Sequence, residues 1–205
     1  MWRMRYFLLM IAVVALVGCA SISPEQSTIV EKAIRVKLNK PTGEITKAAL
    51  ERVTELYLPS QITDADLKEV AKLNRLKLLG LGRTKITDVG LKEVAKLQQL
   101  ERLELSETQI TDAGLKELTK LKQLLVLDLP RTKITDAGLK ELTKLNQLKT
   151  LWLRDTQITD AGLEELAKCK QLERLWVQGT KVTKAGVDEL QEALPKCKII
   201  SNPKK

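Results

Sequence analysis

The sequence predicts an α/β solenoid, a stack of short coils with a parallel sheet on one side, short helices on the other and a cap at each end. Three observations predict it. The phrase Ile-Thr-Asp-Ala-Gly-Leu, or a close variant, begins at Ile62, Ile86, Ile110, Ile134 and Ile158, and returns as Val182-Thr183-Lys184-Ala185-Gly186-Val187. The half-unit before each phrase alternates apolar and polar residues, as in Leu103-Glu104-Leu105, which is the period of a strand. The half-unit after it carries Leu115, Leu118 and Leu121 at helix-like spacing. A unit this short cannot enclose its own apolar face, so it must stack on copies of itself.

The chain opens on a segment that reads as an export signal over residues 1–18. Arg3 and Arg5 supply the positive start, and Tyr6 to Val17 form an apolar run. The run is shorter than the roughly 20 residues a membrane-spanning helix needs, and it fits a signal-peptide core. It ends in Leu16-Val17-Gly18-Cys19, which resembles the lipobox of bacterial lipoproteins. That resemblance implies cleavage before Cys19 and acylation of Cys19, with anchoring in the outer membrane suggested by Ala20 in place of an acid. Two or more acyl chains, at about 0.8 kcal/mol per buried methylene, make such an anchor stable. Residues 19–23 read as a short tether.

Residues 24–58 read as an amino-terminal cap. Val30, Ala33, Ile34 and Leu38 recur at helical spacing, with Pro24 suited to the helix start and Asn39, Pro41 and Gly43 to its stop. Ile45 to Leu50 then echoes the repeat phrase in a shortened copy. Residues 59–189 hold the repeats. Residues 190–205 break the phase at Pro195, finish on a short strand and read as the closing cap.

Within the repeats, Leu100, Leu103, Leu105, Thr108 and Ile110 mark columns that recur in the units around them. This pattern is similar to that of the leucine-rich repeat family, L-x-x-L-x-L-x-x-N-x-L, with Thr in the usual Asn place. The resemblance covers roughly residues 44–201 and implies a horseshoe with a concave parallel sheet and convex helices. The Asn ladder of that family ties neighbouring turns together. A Thr hydroxyl can still donate to a neighbouring carbonyl, so Thr84, Thr108, Thr132, Thr156 and Thr180 predict a weaker ladder in its place. In the helical half, Thr111 or Asp112 can cap the helix start. The column Gly90, Gly114, Gly138, Gly162 and Gly186 predicts close approach of adjacent coils.

Composition narrows the chemistry. The chain carries 35 Lys and Arg against 26 acids, for a net charge of +9, and no histidine. The absence of histidine removes the commonest general base and metal ligand. The basic balance is spread along helices between Glu residues, as in a solvated face, and export would exclude intracellular nucleic acid as a partner. A column of Lys72, Lys96, Lys120, Lys144 and Lys168 could touch an anionic surface, but Glu69, Glu93, Glu117, Glu141 and Glu165 lie close enough to neutralise it. No Gly-rich phosphate loop and no paired-cysteine motif is present, so no cofactor or metal is expected. Cys169 occupies an inward column and Cys197 lies in the closing cap. Exported proteins can form disulfides, but the columns of these two differ by four places, against the close approach a bridge needs.

The side chains between the inward leucines should project from the sheet. Their central column reads Tyr57 (one residue out of phase), Gly80, Glu104, Asp128, Trp152, Trp176 and Ile200. Beyond the leader, Tyr57, Trp152 and Trp176 are the only aromatics, and all three fall in this column. Arg102 and Arg174 flank it, and Arg154 follows the strand. Exposed Trp and Arg are enriched where interfaces hold most of their energy. The candidate partner-binding residues are therefore Tyr57, Arg102, Glu104, Asp128, Trp152, Arg154, Arg174 and Trp176. A self-contained alternative has the two indoles stacked on each other beneath Arg154 and Arg174. Glu104 and Asp128 sit on adjacent strands, and paired carboxylates can cleave glycosides, but no other catalytic cue accompanies them. The expected role is recognition of another protein or an envelope polymer, with an envelope scaffold as the rival.

Overall fold

The computed structural model describes residues 28–202. The expected leader, the tether, Cys19 and Pro24 lie outside the described residues. The first helix, α1 (Ile29–Leu38), is capped by the Thr28 side chain, which accepts from the Glu31 N–H at 3.1 Å. Its start is set by Thr28, because a hydroxyl here meets an amide that the helix itself leaves unbonded. It stops at Asn39, in the left-handed region with φ 50°. Arg35 pairs with Glu31 at 2.6 Å and donates to the Gly43 carbonyl at 2.9 Å, tying the helix to the chain that follows. Val30 and Ile34 are buried and close the end of the apolar spine.

A short helix α2 (Lys47–Leu50) leads to β1 (Glu55–Tyr57), and a 3₁₀ turn (Asp64–Asp66) leads to α3 (Leu67–Val70). The order then settles into β2 (Leu78–Gly80), α4 (Asp88–Val94), β3 (Arg102–Glu104), α5 (Asp112–Leu118), β4 (Val126–Asp128) and α6 (Asp136–Leu142). It continues with β5 (Thr150–Trp152), α7 (Asp160–Leu166), β6 (Arg174–Trp176), α8 (Lys184–Ala193) and β7 (Lys198–Ile200). The seven strands form one parallel sheet in chain order, β1 through β7. The solenoid expectation is met. β1 already belongs to the sheet within the segment read as the opening cap, and α8 runs across residues 189 and 190, so the closing cap shares a helix with the last repeat.

One continuous spine of Leu, Ile and Val runs through the coils. Leu103, Leu105, Ile110, Leu115, Leu118 and Leu121 are all fully buried, each worth about 1.5–3 kcal/mol relative to exposure. The short strands follow from this packing. In β3, β4 and β6 only the central residue of the three is buried, as in Leu103 between half-buried Arg102 and Glu104.

The expected threonine ladder is corrected. The hydroxyl of Thr108 donates at 2.6 Å to the carbonyl of Leu105, three residues back in its own coil, and Thr84, Thr132, Thr156 and Thr180 do the same. A hydroxyl on a two-atom stem closes its own turn and does not reach the next. The tie between coils comes from Asp instead. The carboxylate of Asp88 accepts from both the N–H (2.8 Å) and the hydroxyl (2.6 Å) of Thr111 in the following coil. The pairs Asp64–Thr87, Asp112–Thr135, Asp136–Thr159 and Asp160–Thr183 repeat the arrangement. Each of these Thr residues also caps its own helix; Thr111, for example, accepts from the Ala113 N–H.

The glycine column follows from this ladder. A Cβ on Gly114 would strike Asp88 Oδ1 and lie 2.8 Å from Leu91 Cδ1 in the preceding coil. The end coils depart from the phrase where the ladder begins and ends. At the start, Asp66 stands in the glycine column and instead accepts from Thr63. At the end, Lys184 replaces the ladder Asp and pairs with Asp188 in its own helix.

Candidate functional site

The strand register places the central column as the sequence expects. Tyr57 pairs with Gly80, Gly80 with Glu104, Glu104 with Asp128, Asp128 with Trp152, Trp152 with Trp176, and Trp176 with Ile200. Tyr57 falls into line because the turn after β1 holds three residues between Leu58 and Ile62, against four between Leu81 and Ile86. Its ring lies over Gly80, where any Cβ would meet it. Tyr57 is 59% exposed. It stands four strands from Trp152, about 19 Å at 4.8 Å per strand, so it does not join the tryptophans in one cluster.

Trp152 and Trp176 do form a cluster. Their rings stack with centroids 4.7 Å apart and planes 21° from parallel. Both are half-buried on the sheet face, outside the apolar spine. The stacked contact of two π systems contributes about 0.5–1.5 kcal/mol beyond burial. The cation over the pair is not the one expected. Arg102 reaches across from β3 and places its guanidinium 5.6 Å from the Trp152 ring centroid. The same group is paired with Glu104 at 2.7 Å. Arg154 and Arg174 were the expected covers. They are exposed and, among the described residues, have neither a carboxylate partner nor a ring beneath them.

Asp128 sits between Glu104 and Trp152. Its Oδ1 is shielded from solvent and has no hydrogen-bond partner. Burial is the largest influence on this carboxyl and Glu104 the second; together they push it from 3.8 to about 6, against the weaker pull of Arg102 and Arg154. Gln178, two residues past Trp176, also holds a shielded and unpartnered oxygen, Oε1. No motif marks Gln178 in the sequence. A cavity of about 400 Å³ lies elsewhere, lined by Ala48, Glu51, Arg52, Thr54, Arg75, Lys77 and Gln99.

A second feature borders this face. Arg83, Glu107, Arg131 and Asp155 occupy one column at positive φ. Arg83 bonds Glu107 at 3.4 Å, Arg131 bonds Glu107 at 3.0 Å, and Arg131 bonds Asp155 at 3.3 Å. The alternation of sign at a step of 24 was the signal available for it in the sequence. On the opposite, helical side, each lysine of the convex column is bonded to the glutamate three residues before it, as in Lys120 and Glu117 at 2.6 Å. The Lys120 ammonium holds Glu117 below the usual carboxylate range. That stripe is thus a row of neutralised pairs.

Cys169 and Cys197 are free thiols, both buried. Burial pushes each up to about 11. Among the described residues, no helix is long and apolar enough to cross a membrane, and no group of acids and cysteines converges as a metal site.

A coiled stack of parallel strands and short helices, with leucines inside and varied side chains along the sheet, defines a leucine-rich repeat protein. The family profile described as a leucine-rich repeat region matches residues 27–202, and the chain belongs to that family. Its fold is typical of protein–protein recognition. No curated protein matches the sequence. Among solved structures, the chain is similar to internalin C2 of Listeria monocytogenes, with TM-score 0.64 and 24% identity over 86% of this chain and 85% of that one. It is also similar to an internalin F of the same species, with TM-score 0.62, 19% identity, and coverage of 85% of this chain and 56% of that one. A leucine-rich repeat protein of Leptospira interrogans matches with TM-score 0.59 and 30% identity, over 77% of this chain and 39% of that one. The first two likenesses show the fold alone.

Proposed function

We propose that this chain is a non-catalytic recognition protein of the bacterial envelope that captures a partner protein on its concave sheet, with Trp152 and Trp176 as the central anchors. One observation carries the reading. Every aromatic beyond the leader projects from the sheet, and two of them form a half-exposed stacked platform. The spine is already filled by Leu, Ile and Val, so packing gives the indoles no task there. Large, rigid, amphipathic rings on an open face are the usual centre of a protein interface.

The anchoring half of the proposal rests on the leader: Arg3, Arg5, the apolar run and the Gly18-Cys19 junction. In this reading Cys19 carries the acyl chains and holds the domain close to the outer membrane. A Cys19→Ser variant should move the protein from the membrane fraction to the soluble fraction. Retention in the membrane fraction would remove the anchor.

Recognition itself is tested with Trp152→Ala and Trp176→Ala together. The double variant should keep its cooperative unfolding transition and lose capture of the natural partner from envelope extracts. Undiminished capture would end the proposal.

A further inference from the structure

The arginines of the sheet face are not equivalent. Arg83 is bonded to Glu107, Arg131 to Glu107 and Asp155, and Arg102 to Glu104. Arg154 and Arg174 alone among these five have no carboxylate on them, among the described residues. Arg154 acts on Asp128 only through space. Arg174 acts only through space on Glu173, whose carboxylate is bonded to Lys149 at 2.8 Å.

These two unpaired cations stand at opposite corners of the indole platform. Arg174 lies two residues before Trp176 on β6. Arg154 lies two residues after Trp152, just past β5. Four residues along the strand direction and one strand across separate them, about 14 Å between Cα atoms. An arginine side chain is long enough to bring its guanidinium back over the rings or out to a bound chain. A guanidinium whose charge is matched within the protein gains little from a new anion, whereas an unmatched one gains a charge-assisted, bidentate bond. The other side of the platform has the opposite character. Glu104 and Asp128 occupy the next two positions of the central column toward the amino terminus. They repel an acid placed there and so fix where one can sit.

We infer that the Trp152–Trp176 platform receives an extended acidic segment of the partner protein. Two carboxylates about four residues apart, a span of about 13 Å in extended chain, pair with Arg154 and Arg174, and an apolar residue between them rests on the indoles. The inference rests on the recognition role proposed above and adds the chemistry of its partner.

The test is selection of a library of random short peptides on the immobilised full chain. The expected result is enrichment of peptides with two acids about four positions apart around an apolar residue. Binding of an enriched peptide should weaken at least about tenfold in Arg154→Glu/Arg174→Glu, and that variant should itself select basic peptides. Enriched peptides without acids, or ones indifferent to the arginine reversal yet lost in Trp152→Ala/Trp176→Ala, would overturn the acidic-segment inference and leave the recognition face standing. Peptides indifferent to both pairs of changes would overturn both. Binding of heparin, a sulfated glycan, that depends on Arg154 and Arg174 but survives loss of both tryptophans would also overturn the inference, since it would show a charge site without the platform.

Discussion

Asp112 accepts two hydrogen bonds from Thr135, one from its N–H at 2.8 Å and one from its hydroxyl at 2.6 Å. The two residues are 23 positions apart and belong to successive coils. With each ladder Asp, an exposed helix start becomes a cross-tie between coils. Charge-assisted bonds of this kind contribute about 1.5–3 kcal/mol each. Asp112→Ala should therefore cost about 3 kcal/mol, read as a lower midpoint in urea. Ala113→Gly, on the solvent side of the same turn, should cost about 1 kcal/mol or less. Equal losses in the two variants would show that the ladder carries little of the stability.

Gly114 is where two rules conflict. In a helix interior, replacing Gly by Ala stabilises by roughly 0.5–1 kcal/mol. Here the added methyl would strike Asp88 Oδ1 and press on Leu91, and overpacking costs about 1–3 kcal/mol. The steric effect wins, so Gly114→Ala should destabilise by about 2 kcal/mol. On an Asp88→Ala background, where the carboxylate in the way of the new methyl is gone, the Gly114→Ala change should cost less than it does in the unaltered chain.

Asp128 makes stability depend on pH. Its carboxyl titrates at about 6 in the folded chain against 3.8 ordinarily, so the native state holds the proton more tightly than the unfolded one. Stability should fall as pH rises from about 4 through about 6, then level off. The groups that face it are Glu104, Arg102 and Arg154. Asp128→Asn should raise stability at about pH 8 by about 1 kcal/mol, after solvent screening at a half-buried site, and the gain should vanish near pH 4. A gain that is the same at both pH values would exclude the carboxyl as its source.

The stacked indoles give a direct optical readout. Rings 4.7 Å apart couple their transitions, so the full chain should show an exciton couplet in circular dichroism. Trp152→Ala or Trp176→Ala alone should abolish it, at a stability cost that includes about 1 kcal/mol from the lost ring contact in addition to the lost burial of the indole. A couplet that survives either change would mean the rings do not stack in solution.

The buried thiols make a fifth check. With both pushed up to about 11, Cys169 and Cys197 should resist a thiol reagent at neutral pH and react together when the unreduced chain is denatured. Absence of reaction in the denatured chain would reveal a bridge between them.

Much of this architecture could be read before any coordinate. The leucine columns dictate the spine because a buried residue is set by its phase in the repeat, and the central column followed from the alternation about it. What escaped was reach. The sequence shows Thr108 in the ladder column, but not that its hydroxyl is too short to leave its own coil. It shows Asp112 near a helix start, but not that the carboxylate bonds forward to Thr135. Arg102 covering Trp152 from two strands away was equally invisible, since the path of a long side chain depends on which neighbours already hold a charge. The alternation of Arg83, Glu107, Arg131 and Asp155 was present in the letters and needed only to be read down the column.

That alternation has a consequence for how such a chain can lengthen or shorten. Every leucine and every Asp–Thr tie recurs with a period of one unit, so gene duplication or loss of a single unit would leave the interior seamless. The charged border instead has a period of two. Removing the unit that contains Arg131 would set Glu107 directly beside Asp155 and bring two negative charges together, whereas removing a neighbouring pair of units would keep opposite signs in contact. Loss of either inner unit alone, that of Glu107 or that of Arg131, brings like charges together, whereas loss of both leaves Arg83 beside Asp155, a constraint that the hydrophobic interior does not impose.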